Sequence, residues 1–204
     1  VTDIRCLSLS RPWPWAILHA GKRIENRSDK RGMPPMCHYR GPLLLHAAKS
    51  WDPDASVWMV QRGLLPPESA WKPVAAPCGS AVTDESDESH LGSVIFARCR
   101  VLGNIVPRRT DGLPWIRMVS LGGEGGGDVA GVRSGDRFVD YREGDLATRD
   151  FATSLDLRWW MGGYALVLAD VEPTPLIKCR GYQGLWRPPP GVLFRLGEAG
   201  KGHR

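Results

Sequence analysis

Residues 6–28 read CLSLSRPWPWAILHAGKRIENRS, and this stretch decides how the chain is organised. Leu7 and Leu9 alternate with Ser8 and Ser10, the period of two expected of a half-buried strand. Arg11-Pro12 leaves that strand. Pro14 suits a first helical turn, where its missing N–H is no loss and its φ is already helical. Trp13, preceding a proline, is biased towards extended geometry. The spacing predicts a helix over 14–20, then Gly21 in the left-handed conformation that glycine adopts without a Cβ penalty. From Lys22 the period is two again, with Arg23, Glu25 and Arg27 on one face of a second strand and Lys22, Ile24 and Asn26 on the other. Charges of both signs thus gather beside a short helix end, an arrangement suited to lining a cleft.

Working outward, a chain of 204 residues with 42% hydrophobic content is long enough for one domain with a real core. Its 24 Gly and 17 Pro are too many breakers for a helical bundle and predict short strands with long connections. No apolar run is long enough to span a bilayer and no basic-then-apolar leader opens the chain, so the expectation is a soluble, cytoplasmic protein without a membrane partner. Cys6, Cys37, Cys78, Cys99 and Cys179 are scattered and contain no C-x-x-C pair, which fits neither a disulfide framework nor a zinc ribbon. Cys37, His38 and His46 lack the paired spacing of a structural zinc site, so no metal or other cofactor is expected.

The net charge is +5, and its distribution is uneven. Residues 1–50 hold nine Lys/Arg against three Asp/Glu, a local +6, whereas residues 66–91 hold one Lys against five acids, a local −4. Positive charge concentrated on the opening stretch is the footprint of a surface that faces phosphate.

Further along, 43–48 reads as a buried strand, followed by a helix capped by Ser50 or Asp52 that continues through Ala55, Val57, Trp58, Val60 and Gln61 and is ended by Gly63. The Pro-, Ser- and acid-rich residues 64–91 read as a disordered insertion. In 92–103, Phe96, Arg98 and Arg100 share one face of a strand while Ile95, Ala97, Cys99 and Val101 share the other. Residues 104–155, polar and glycine-rich, read as a lid or linker; their glycines lack the G-K-[S/T] of a phosphate loop. A strand over 164–171 is expected to break at Pro173 and Pro175, a last strand and turn to follow at 177–186, and 188–204 to form a basic, flexible tail. Trp15 and Leu18, three apart on the first helix, are expected in its core, as is His46 at the end of an apolar strand.

Four stretches in order, SLSRPWPW (8–15), GKRIENR (21–27), YRGPLLLHAAK (39–49) and Gly163-Tyr164 through GYQGLW (181–186), resemble the ASCH domain family of PUA-like proteins. The resemblance covers roughly 4–62, 92–103 and 157–187. It implies an α+β fold: a small, mostly antiparallel PUA-like β-barrel with flanking helices and a cleft between barrel and first helix, forming one domain over 1–187 with two long insertions, 64–91 and 104–155. It further implies RNA binding or base recognition. Some stand-alone members of the family are enzymes, hydrolysing N4-acylated cytidines or cutting RNA.

In that light Arg11, Trp13, Lys22, Glu25, Arg27, Arg40 and Lys49 are the expected nucleic-acid or base contacts. Arg11, Arg40 and Lys49 would meet phosphate, Trp13 would stack a base, and Glu25 could accept from an exocyclic amine. Lys22 stands where the amidohydrolase members place a catalytic lysine. Their threonine, three residues on, is here Glu25, so only a Lys22–Glu25 pair activating water could serve as catalytic residues. The leading expectation is a nucleic-acid-binding protein recognising RNA or a modified base or nucleotide. A hydrolase using the same cleft is the alternative, and a protein-interaction module the third.

Overall fold

The computed structural model describes residues 3–27, 38–52, 54–64, 93–107, 114–118, 129–134, 137–142 and 146–199. Their elements run β1 (Arg5–Arg11), α1 (Trp13–His19), β2 (Ile24–Arg27), β3 (Gly41–Trp51), α2 (Ala55–Gln61), β4 (Val94–Pro107), β5 (Pro114–Met118), β6 (Val129–Ser134) and β7 (Arg137–Arg142). Then come α3 (Leu146–Ser154), a 3-10 turn (Leu157–Trp159), β8 (Tyr164–Lys178), β9 (Leu185–Trp186) and α4 (Pro190–Ala199). The chain divides into two compact units, one made of Val1–Lys22, Pro42–Cys99 and Asp170–Arg204, the other of Arg23–Gly41 and Arg100–Ala169.

In the first unit β1 pairs with β3 in parallel, Leu7 against Leu45 and Ser8 against His46, and with β9 antiparallel, Cys6 against Trp186. The alternation read from the sequence places Leu7 and Leu9 in the interior, and Cys6, Leu44, Ile95, Ile177, Trp186 and Val192 form one apolar cluster. α1 starts at Trp13, with Pro14 in its first turn. Its buried face is Trp13, Ala16 and Ile17, a three-four spacing; Trp15 and Leu18, expected in the core, are only half-buried. Gly21 has φ +68°, as its position after the helix predicts, and the amide of Lys22 turns back onto the carbonyl of Ala16 at 3.1 Å. Gly63, with φ +63°, closes α2 in the same way.

In the second unit β2 pairs antiparallel with β8, Ile24 against Val167 and Glu25 against Leu166, and β4, β5, β6 and β7 form an antiparallel meander. Ile24, Val101, Leu102, Ile105, Ile116, Met118, Trp159 and Leu166 are buried there. The molecule is therefore α+β with mostly antiparallel strands. Strand pairing ends at β7 in this unit and at β9 in the first, and among the described residues neither run of strands closes into a barrel.

Three stretches differ from the sequence reading. Residues 114–154, expected within a lid or linker, carry β5, β6, β7 and α3. The short alternation of Pro114, Ile116 and Met118, all buried, against half-buried Trp115 and exposed Arg117 is a genuine strand period; glycine-rich flanks hide it. β8 runs through Pro173 and Pro175 to Lys178, since a proline is tolerated wherever its missing N–H is not part of a ladder. Residues 190–199, read as flexible tail, form α4. Pro189 and Pro190 there act as a helix start, with the Val192 amide on the Pro189 carbonyl at 2.9 Å. The insertion expected at 64–91 lies, but for Leu64, outside the described residues, as does Cys37. Among the described residues no helix is long and apolar enough to cross a membrane.

Candidate functional site

Within the first unit, α1 and the turn after it bring Trp13 and Lys22 together. Lys22 is 1% exposed, and its Nζ lies 5.3 Å from the centre of the Trp13 ring. Trp13, 9% exposed, is fixed on its other sides: its Nε1 donates to Asp52 Oδ2 at 2.9 Å, and the Trp58 ring of α2 meets it edge-on with centroids 5.8 Å apart. Asp52 Oδ1 also accepts from the amide of Asp54 at 3.2 Å, so one carboxylate fixes both the indole and the start of α2. An aromatic face beside a desolvated ammonium contributes about 2 kcal/mol. Trp13 is thus part of the setting of Lys22 and offers little open face for a base.

Arg11, at the end of β1, donates through Nη2 to the carbonyl of Lys49 at 2.7 Å and accepts the amide of Asp52 on its own carbonyl at 2.7 Å. Burial disfavours its charged form slightly, pushing its pKa down from the ordinary arginine value. Arg11 thus ties β1 to the end of β3, while the Lys49 side chain beside it is exposed.

Within the second unit Glu25 and Arg27, two apart on β2, meet as an ion pair at 2.9 Å with Glu25 6% exposed. Arg27 Nη2 is the atom that meets Glu25 Oε1, while Arg27 Nε is buried and finds no hydrogen-bond partner among the described residues. Between them, on the opposite face, Asn26 closes a clamp: its Nδ2 donates to the Trp159 carbonyl at 2.8 Å and its Oδ1 accepts the Met161 amide at 2.9 Å. Asp156 accepts the Arg158 amide at 3.0 Å and Trp160 Nε1 donates to the Gly163 carbonyl at 2.7 Å, so both tryptophans of this turn are held in place. Arg40 donates to the Tyr39 carbonyl at 2.7 Å and to Asn104 Oδ1 at 3.0 Å, with Asn104 itself buried.

The expected site residues thus fall into small constellations: Lys22 with Trp13, Arg11 with Lys49, Glu25 with Arg27, and Arg40 with Asn104. Asp52 was expected only as a helix cap, and Trp58 and Asn104 were not expected at the site; an acid and an aromatic flanking a helix start carry no signal of a distant indole. A further cluster lies around His46, which is 1% exposed. Its Nε2 is 3.1 Å from the Cys179 carbonyl and its Nδ1 is buried with no hydrogen-bond partner among the described residues. A carbonyl only accepts, so Nε2 is the donor of this contact, and burial lowers the pKa of the ring more than the Cys179 hydrogen bond raises it. The Cys6 and Cys179 thiols are pushed up, chiefly by burial, which keeps them protonated and unreactive. Among the described residues no group of three His, Cys, Asp or Glu side chains comes together that could hold a metal ion.

No protein-family model matches the chain, and no curated protein matches it.

Proposed function

We propose that the chain is an ASCH-type, PUA-like nucleic-acid-binding protein that recognises RNA or a modified base or nucleotide in the cytoplasm. The observation that carries this reading is the withdrawn ion pair on β2, where Glu25 is 6% exposed and meets Arg27 at 2.9 Å. Removing an ion from water costs several kcal/mol unless its partners are well placed. A strand that keeps such a pair holds a donor and an acceptor in fixed directions. A carboxylate can accept from the exocyclic amine of cytosine, and ammonium or guanidinium groups donate to ring nitrogens, carbonyls and phosphate. Arg27 Nε, buried without a hydrogen-bond partner among the described residues, is a donor not used by the ion pair. The exposed Lys49 suits a backbone phosphate, whereas Arg11 and Arg40 direct donors at protein oxygens and act chiefly by positioning.

One observation favours a hydrolase instead, the near-complete burial of Lys22. Withdrawn lysines serve enzymes as general bases. Glu25, in the place of the amidohydrolases' threonine, is engaged with Arg27.

The test is thermal stabilisation of the chain by single-stranded RNA, single-stranded DNA and free nucleosides including N4-acetylcytidine, at low and moderate salt, with product analysis of every mixture. Stabilisation by oligonucleotides that falls as salt rises, without product, is the expected result. Turnover of a nucleoside, or strand cleavage lost in Lys22→Ala, would replace binding by hydrolysis. Neither stabilisation nor product would end both readings.

A further inference from the structure

We infer that Tyr182, with Arg180 beside it, is a stacking platform for one base of a single-stranded nucleic acid. The inference rests on the nucleic-acid reading and supplies it with an open aromatic face, which the buried Trp13 does not offer. Tyr182 is 51% exposed in the turn between β8 and β9. An aromatic ring left that open contributes little to a core.

The ring nevertheless has rigid footing. Tyr182 meets Trp186 edge-on, with centroids 5.4 Å apart and planes at 65°. Trp186 is itself buried, its Nε1 donating to Ser8 Oγ at 3.1 Å and its ring packing edge-on against His46 at 5.7 Å. The preceding Gly181 approaches His46 and Ser8 so closely that no side chain fits there, which fixes the backbone from which Tyr182 projects. A platform already ordered loses little entropy when a base settles on it.

Charge points to the occupant. The Arg180 guanidinium carbon lies 5.5 Å from the Tyr182 ring centre, and among the described residues no carboxylate pairs with Arg180. From Pro173 to Arg187 the chain carries Lys178, Arg180 and Arg187 and no Asp or Glu; of these Arg187 is turned to Asp3, its Nε 3.4 Å from Oδ1. A guanidinium over an exposed ring can stay stacked above an incoming base or swing to the adjoining phosphate. An exposed aromatic face with a guanidinium beside it is the pattern that binds single strands with little sequence preference.

The experiment is fluorescence anisotropy of the full chain with short single-stranded RNA and DNA of mixed sequence, at two salt concentrations, for the parent, Tyr182→Ala, Tyr182→Leu, Tyr182→Phe and Arg180→Gln. Loss of the stack should weaken Tyr182→Ala by about 5- to 150-fold, and Tyr182→Phe should bind like the parent. Arg180→Gln should weaken binding and lower the salt slope by about 1. Melting temperatures of the same variants guard against misfolding; if Tyr182→Ala melts early, the Phe and Leu variants decide, since both fill the site and only Phe has a π face. Cross-linking of a 4-thiouridine strand to the peptide containing Tyr182 is expected as well, and the ratio of RNA to DNA affinity identifies the strand recognised. Oligonucleotide binding that is salt-sensitive yet equal in the parent, Phe and Leu variants overturns the platform and leaves the nucleic-acid reading standing. A parent chain that binds no oligonucleotide overturns both.

Discussion

Replacing Gly181 by alanine should destabilise the protein, although alanine normally costs a chain less entropy on folding than glycine does. The worked quantity is the space for one methyl group. A Cβ at this position would lie 2.5 Å from His46 Nδ1 and 2.7 Å from Ser8 Oγ, and closer still to His46 Cε1. Non-bonded heavy atoms rest at about 3.5–4.0 Å, so these contacts fall short by roughly 1 Å. The imidazole cannot simply step aside, because it is 1% exposed, donates to the Cys179 carbonyl at 3.1 Å and meets Trp186 edge-on. Overpacking of this kind costs about 1–3 kcal/mol, and breaking the His46–Cys179 hydrogen bond to relieve it costs about 0.5–1.5 kcal/mol. Gly181 is not at positive φ, so alanine recovers about 0.4–1 kcal/mol through the unfolded chain. The expected net loss is about 1–3 kcal/mol, read as a lower urea midpoint at unchanged slope. Gly197→Ala is the matched comparison: in α4, with nothing within 4 Å of its Cβ, it should stabilise by about 0.5–1 kcal/mol. If Gly181→Ala unfolds at the parent's midpoint or above, the close approach of Gly181 to His46 is wrong, and with it the rigid footing of Tyr182.

Gly103→Ala should destabilise in the same assay, because its Cβ would press on the Arg117 carbonyl of the neighbouring strand, and backbone yields less than a side chain. Lys22→Met should weaken oligonucleotide binding about 10-fold or more; undiminished binding would remove Lys22 from the site. Asp52→Ala should cost about 1–3 kcal/mol by leaving the part-buried Trp13 indole N–H without its acceptor, seen as an early thermal transition. For His46, the folded pKa is lowered, so the unfolded chain takes up a proton first as pH falls. Its contribution is complete above the ordinary histidine value of about 6.5 and is lost as pH drops from there through the folded pKa. Urea midpoints of His46→Gln measured across that range should depend less on pH than those of the parent.

The order β1, left-handed Gly21 and charged β2 was legible because it rests on local rules: alternation, proline at a helix start and glycine at its end. The faces of β4 were legible for the same reason, with Arg98 and Arg100 exposed and Ile95, Ala97, Cys99 and Val101 buried, but Phe96, on the face of the two arginines, is buried as well. What these rules miss are elements whose local signals conflict. β5 is a five-residue alternation among glycines, and α4 begins in a run of prolines that reads equally well as a tail. Both persist because partners far along the chain complete them: β5 is hydrogen-bonded to β4, and Val192 of α4 lies in the cluster with Cys6 and Trp186.

The candidate site divides along the same line. Sequence by itself determined that Lys22, Glu25 and Arg27 crowd one turn and strand, because that crowding is a matter of spacing. It could not determine that Trp13 is enclosed by Asp52 and Trp58 while Tyr182 stands open, since exposure depends on which distant segments arrive to cover a ring. Those contacts join residues 39 positions apart for Trp13 and Asp52, and 178 apart for Trp186 and Ser8. Only tertiary packing, which settles where each buried polar group finds its partner, decides them.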